Sequence, residues 1–207
     1  MKINNLERPY IIIGCGGYAG VIFDLLNNIK SDIYGVCDPS LKDDEKWNGV
    51  MTFHDDNQVF NLDPDKFFIA NGMGGYGPNA RLRKKLSESY EKKGFIFPPL
   101  VHTNTSVSNL SSLHSGVQIM SGAIVQANCV IKENTLINTN VSIDHDVKIK
   151  KNSSISPGTT ICGTCNIGKD VFIGAGVTVI NGISIGDNAF VKAGTLVKSD
   201  IPLNTKL

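Results

Sequence analysis

From Val101 onward a branched aliphatic residue recurs at every sixth position: Val101, Val107, Leu113, Ile119 and so on, without insertion, to Val191 and Val197. Four residues after most of these anchors comes a small or slender residue, such as Thr105, Ala123, Cys129, Thr135, Ser153 or Cys165. A turn former often precedes it, as at Gly116, Gly122, Asn128, Asn134, Asn140, Asn152, Gly158, Gly176, Gly182, Asn188 and Gly194. A period of six fits neither the 3.6-residue helix nor simple two-residue alternation. It fits a coil of three short flat faces, six residues each, with the anchor inward and the small residue near the turn. Residue n then stacks on residue n+18, and successive coils pair as parallel strands about 4.8 Å apart. Such a repeat is stable only in stacks, because each coil covers the anchors and backbone polar groups of the next. The pattern predicts a left-handed parallel β-helix. An ordinary β-sandwich would need hairpin turns at variable intervals, which the even spacing does not supply.

The amino-terminal half alternates differently. Tyr10–Ile13 reads as a buried strand, followed by Gly14-Cys15-Gly16-Gly17 and a helix with apolar positions at Val21, Ile22, Leu25 and Leu26. Residues 33–37 form a second strand ending at Asp38-Pro39. Strand, glycine turn, helix, strand and acid is the arrangement that holds a nucleotide at a helix amino terminus. The glycine pattern is compressed, so a tight ligand-free turn is the other reading of Gly14, Gly16 and Gly17. A third strand is predicted at residues 67–70, a glycine-rich loop at 72–77, a basic helix at 79–89 with Leu82 and Leu86 on its apolar side, and a short strand at 95–97. Pro98-Pro99 marks the boundary. The expected organisation is a small βαβ domain over residues 1–99 and a β-helix over 100–207, that is, an α/β Rossmann-like nucleotide-binding domain followed by hexapeptide coils.

Composition narrows the field. With 41% hydrophobic and 19% charged residues the chain can bury a real core, and a net charge of +1 supplies no basic surface for nucleic acid. The apolar run at Tyr10–Ile13 stops at Gly14, far short of a membrane span, so a soluble cytoplasmic protein is expected. Five cysteines imply no disulfide framework, and Cys162 and Cys165 lack the second pair that a zinc site would need. No metal is expected.

One segment carries candidate chemistry. His145, two residues after the anchor Ile143, points away from the core between Asp144 and Asp146. A neutral imidazole can take a proton near physiological pH, and a carboxylate can fix its tautomer. An exposed histidine between two acids is also a common surface feature. Gly163 lies one coil on, where a backbone N–H without a side chain beside it could stabilise charge developing on a thioester carbonyl.

Taken together, Ile13-Gly-Cys-Gly-Gly17, Ile137-Asn-Thr139, Ile143-Asp-His-Asp-Val147, Gly163, Ile173-Gly-Ala-Gly176 and the closing run from Val191 to Pro202 resemble the bacterial nucleotide-sugar and sialic-acid O- and N-acyltransferases of the left-handed β-helix superfamily. That family includes acetyl-CoA-dependent UDP-4-amino-sugar N-acetyltransferases of surface-polysaccharide and glycan biosynthesis. The resemblance implies a homotrimer, with each active site between neighbouring β-helices. It implies acetyl-CoA along the coils near Gly163, Ala175 and Ala193, and His145 as general base with Asp146 as its carboxylate partner. It also implies a nucleotide-linked amino-sugar held through Gly14, Gly16, Gly17, Tyr18 and Asp38. Tyr18 stands where the family usually has histidine, and Lys192 where it usually has glycine. Near the acceptor the Tyr18 phenol would make one hydrogen bond; otherwise its ring serves packing. A hydroxyl acceptor, as in a sugar or sialic-acid O-acetyltransferase, and a non-catalytic nucleotide-sugar-binding β-helix are the competing functional readings.

Overall fold

The computed structural model describes residues 8–42 and 46–207. Its contacts divide the chain into two compact units that meet in sequence at Pro98 and Pro99.

In the first unit, β1 (Tyr10–Ile13), β2 (Ile33–Cys37), β3 (Met51–Phe53) and β4 (Phe68–Asn71) form an all-parallel sheet in the order β3-β2-β1-β4. Helix α1 (Gly17–Asn28) buries Ala19, Ile22, Leu25 and Leu26, the stripe that a 3.6-residue period turns to one side. A short helix α2 (Asp56–Phe60) starts at Asp55, whose carboxylate accepts from the Asn57 N–H. The sequence pattern gave no sign of β3 or α2, each too short to display a period. The third strand begins one residue later than expected, and the segment around Ile96 makes only an isolated bridge to Phe68.

Helix α3 (Pro78–Lys92) corrects a second expectation. Leu82 is exposed and Leu86 half-buried, while the buried side consists of Arg83, Ser87 and Tyr90. The cause is the polar edge that α3 covers. Asn71, at the end of β4, donates from its side chain to the Arg83 carbonyl and the Ser87 hydroxyl. Arg83 Nη1 donates in return to the carbonyls of Asn71 and Met73. Buried polar groups need partners more than the helix needs an unbroken apolar stripe.

In the second unit, two-residue strands stack at intervals of 18 residues into three parallel sheets. One face runs through Val101, Ile119, Ile137, Ile155, Ile173 and Val191, the second through Val107, Val125, Ile143, Ile161, Val179 and Val197, and the third through Leu113, Ile131, Ile149, Ile167 and Ile185. The anchors form one continuous core, with the partly buried Val101, Val107 and Leu113 of the first coil packed against it. Burying an isoleucine contributes about 1.5–3 kcal/mol, repeated at every level. Slender polar residues at the turns are satisfied locally: the Ser153 hydroxyl donates to Gly168 O at 2.8 Å and the Thr159 hydroxyl to Gly174 O at 3.0 Å. The predicted turn formers have positive φ, and so do Asp146, Thr164 and Asp170, which the glycine and asparagine pattern did not single out.

Candidate active site

His145 sits on the edge of the β-helix between the second and third faces, two residues beyond the buried Ile143. Asp146 occupies the turn itself with φ 60°, a left-handed conformation that aspartate tolerates better than most residues. That turn brings the carboxylate back onto the imidazole: His145 Nδ1 and Asp146 Oδ2 are 2.8 Å apart, with side chains 52% and 47% exposed. Asp144 Oδ1 accepts the His145 backbone N–H at 2.8 Å. The hydrogen bond to Asp146 raises the His145 pKa above its usual value, with the Asp144 charge adding to it. Asp146 is held below the usual carboxylate range by its bonds to His145 and to the Asn128 side chain, one coil away. A carboxylate on Nδ1 selects the Nδ1–H tautomer, which leaves Nε2 as the basic nitrogen. Nε2 has no hydrogen-bond partner among the described residues.

Gly163 lies directly against this ring. A Cβ there would meet His145 Cε1 at 2.7 Å and Nε2 at 2.8 Å, so the glycine is the seat of the imidazole. Among the described residues its N–H makes no hydrogen bond, while its carbonyl accepts from the Gly182 N–H and the Thr164 hydroxyl. Thr164 stacks one coil on from Asp146 and holds φ 62°, unusual for a β-branched residue.

Ala175 and Ala193 are exposed, but not on this edge. They lie 30 and 48 residues after His145, which is not a whole number of 18-residue coils, and so follow the first face rather than the second. Within one chain the structure gathers His145, Asp146 and Gly163 and sets Ala175 and Ala193 one edge away. A cavity of about 630 Å³ lies on the third face, lined by Lys148, Asn166, Ser184, Asp187 and Leu203 among others, and none of the five residues above lines it.

The remaining candidates gather at the carboxyl ends of the strands in the α/β unit. Gly14 has φ 99°, and a Cβ there would strike Met73 Sδ at 2.8 Å, so the turn after β1 requires glycine. A Cβ at Gly16 or Gly17 would meet nothing within 4 Å, which leaves the start of α1 open to a close-approaching group. Asp38 ties the ends of β1 and β2 together: Oδ2 accepts the Cys15 N–H at 3.0 Å, and Oδ1 accepts the Ser40 N–H at 2.9 Å and hydroxyl at 2.6 Å. Burial pushes its pKa up, but the bonds from Ser40 and Cys15 outweigh that and keep it low. Tyr18, in the first turn of α1, is half-buried beside Arg83; burial pushes its phenol well up and the guanidinium pulls it back in part. The sequence reading assigned no site role to Arg83, Asn71, Asn128 or Thr164. Only the last two carry a signal, their 18-residue register with Asp146.

The PglD N-terminal domain family matches residues 10–90, and the bacterial transferase hexapeptide (six repeats) family matches residues 128–163 and 164–199. A histidine-to-asparagine variant of perosamine N-acetyltransferase from Caulobacter crescentus, solved with CoA and GDP-perosamine, is 27% identical with a TM-score of 0.88, covering 96% of this chain and 92% of that one. The acetyltransferase domain of PglB from Neisseria gonorrhoeae FA1090, solved with acetyl coenzyme A, is 28% identical with a TM-score of 0.86, over 95% and 93%. WeeI from Acinetobacter baumannii AYE shares the fold at 18% identity, with a TM-score of 0.85 over 96% and 95%. A search of curated protein sequences gave no match. From the coil register, the open glycine turn and these likenesses, the chain is a hexapeptide-repeat acyltransferase of the left-handed β-helix type with a PglD-type amino-terminal domain.

Proposed function

We propose that the protein transfers an acetyl group from acetyl-CoA to the amine of a nucleotide-linked amino-sugar, the 4-amino position being the favoured site, with His145 as general base. The observation that carries the reading is the imidazole held between Asp146 on Nδ1 and Gly163 beneath its other edge, with Nε2 unpartnered among the described residues. Bound acetyl-CoA would supply the acetyl group as a thioester. Gly163 fits beside that carbonyl, since its N–H has no partner among the described residues and could donate to the developing oxyanion. His145 Nε2 accepts the proton of the attacking amine as the C–N bond forms, Asp146 stabilises the resulting imidazolium, and His145 would return that proton to the CoA thiolate released when the thioester C–S bond breaks. Gly14, Gly16, Gly17 and Asp38 would hold the nucleotide end, with Tyr18 bonding the acceptor. The substrate named for the Caulobacter crescentus relative, GDP-perosamine, supports an amine acceptor over a hydroxyl.

The same reading implies a homotrimer. Ala175 and Ala193 can share a cleft with His145 if a neighbouring copy presents its own edge, which fits an active residue 52% exposed on a single wall. Analytical ultracentrifugation at micromolar concentration should give a trimer; a fully active monomer would refute this part. A cytoplasmic location follows from the use of acetyl-CoA and nucleotide-sugars. Among the described residues no helix is long and apolar enough to cross a membrane.

The direct test incubates wild type and His145→Ala with acetyl-CoA and a panel of nucleotide-linked amino- and hydroxyl-sugars. One 4-amino-sugar should be acetylated, and the variant should lose roughly 10²- to 10⁴-fold in kcat with little change in KM for acetyl-CoA. Transfer to hydroxyl-sugars alone would make the protein an O-acetyltransferase, and near-wild-type kcat in the variant would remove His145 as base.

A further inference from the structure

Arg83 is an unusual residue to find inside an α/β domain. It is 2% exposed, and its Nη1 donates to Asn71 O at 3.2 Å and Met73 O at 2.9 Å. Its Nε and Nη2 are buried without a hydrogen-bond partner. Among the described residues no carboxylate stands within ion-pair distance of it. A buried cation without a counter-charge costs several kcal/mol, and such groups are ordinarily paired with a nearby anion.

The surroundings indicate where the anion belongs. In the order β3-β2-β1-β4, the chain leaves β1 toward β2 on one side while β4 lies on the other. The crevice outside the carboxyl ends of β1 and β4 is therefore the topological switch point, where open α/β sheets bind ligands. Its two lips are the turn at Gly14 and the loop at Gly72, which touch: the Gly72 N–H donates to Ile13 O, and Gly14 is packed against Met73. Arg83 lies beneath the second lip. By binding the carbonyls of Asn71 and Met73 it draws inward the two groups that would repel an anion, and sets a full positive charge under them. The Asn71 side chain reinforces this by accepting the Met73 N–H while donating to Arg83 O and Ser87 Oγ. On the first lip stands Tyr18, its neutral phenol within electrostatic reach of Arg83, in the same turn as the open Gly17.

We propose that Arg83 is the buried counter-charge of the nucleotide's phosphates, a positioning residue that makes the β1–β4 crevice selective for a diphosphate. The proposal rests on the nucleotide-sugar reading above. It acts through the loop after β4 and through the field across the crevice. Arg83 also closes α3 onto the sheet, so loss of stability alone would not distinguish this role from a structural one. Selectivity for phosphate does.

Calorimetric titration of the full chain with UDP, GDP, uridine and guanosine separates the two. Arg83→Gln, which removes the charge but keeps a donor, should weaken the tighter-binding diphosphate by about tenfold or more, and its nucleoside by less than twofold. Arg83→Lys should retain most diphosphate affinity. Equal losses for diphosphate and nucleoside, or no loss for either in a folded Arg83→Gln, would make Arg83 structural only. If Arg83→Gln does not fold, the wild type decides. Its Arg83 Nε–H resonance, assigned by its absence in Arg83→Lys, should move on saturation with the diphosphate and stay put with the nucleoside; no movement overturns the proposal. A wild type that binds neither UDP nor GDP would instead overturn the nucleotide reading, and the proposal with it.

Discussion

In the β-helix a residue's neighbours follow from arithmetic, since each contacts the residues 18 before and after it: Asp146 meets Asn128 on one side and Thr164 on the other. In the α/β unit Asn71 reaches Arg83 and Ser87, 12 and 16 residues on, across a glycine-rich loop and a helix. The repeat makes anchors interchangeable, so the informative positions are those that depart from it. His145 and Gly163 are such departures. In the α/β unit nothing repeats, and a functional residue such as Arg83 resembles any other arginine on a basic helix until its burial is seen.

The largest expected effect tests interchangeability itself. Ile161→Ala, between Ile143 and Val179 in the second face, should cost about 2–5 kcal/mol in urea unfolding. Ile155→Ala and Ile173→Ala in the first face should fall in the same range, because all three side chains are fully buried among like residues. If one cost less than 1 kcal/mol while the others cost several, equivalence of the anchors would be lost.

Gly163→Ala asks whether a departure from the repeat serves chemistry rather than folding. The added methyl falls 2.7 Å from His145 Cε1 and must displace the ring, yet the exposed imidazole can swing outward at little cost to the fold. An expected loss of about 10²-fold in kcat, with unchanged melting temperature, follows from a displacement of order 1 Å at a reacting group. Unchanged kcat would mean the ring tolerates another pose.

Asp146→Asn sharpens the point by altering the acid while keeping the turn. Asparagine holds the same left-handed position at residues 128, 140 and 152, so the backbone should not change. Because Asp146 raises the His145 pKa and the base must be neutral to act, the wild-type kcat profile should rise through a pKa above the ordinary histidine value. In Asp146→Asn that rise should move to lower pH, and the plateau should fall less than in His145→Ala. A rise that stays in place would show that Asp146 does not set the imidazole's protonation.

Much of this was readable before the structure. The six-residue period located the faces, the anchors and the stacking of Gly163 on His145. It could not say that the glycine seats the imidazole, because register gives which residues stack and not which atoms touch. Asp146 was readable as a partner but not as a turn residue, since its left-handed φ answers to the backbone path. The edge occupied by Ala175 and Ala193 follows from the same arithmetic, but a resemblance that groups residues by role conceals it. In the α/β unit Gly14, Gly16 and Gly17 marked the turn, whereas the buried side of α3 ran against its apolar residues: Leu82 is exposed and Arg83 buried. Helical periodicity assumes that what is buried is apolar, and the carbonyls after β4 required a cation instead.

The smallest effect concerns a residue whose local cost has no local return. Thr164 is β-branched and sits at φ 62°, where the stack elsewhere uses Asn, Asp or Gly. That conformation costs a threonine about 1–3 kcal/mol, of which asparagine should recover about 1 kcal/mol. The Thr164 hydroxyl donates at 2.7 Å to the carbonyl of Gly163, the residue against which His145 packs. If that bond steadies the Gly163 peptide, Thr164→Asn should raise stability in urea unfolding while lowering kcat severalfold. Thr164→Gly, which relieves the same strain and has no side chain to replace the hydroxyl, should lower kcat by at least as much. An increase in stability with kcat unchanged in both variants would separate the strain from the site, and leave Thr164 as a turn residue of the ordinary repeat.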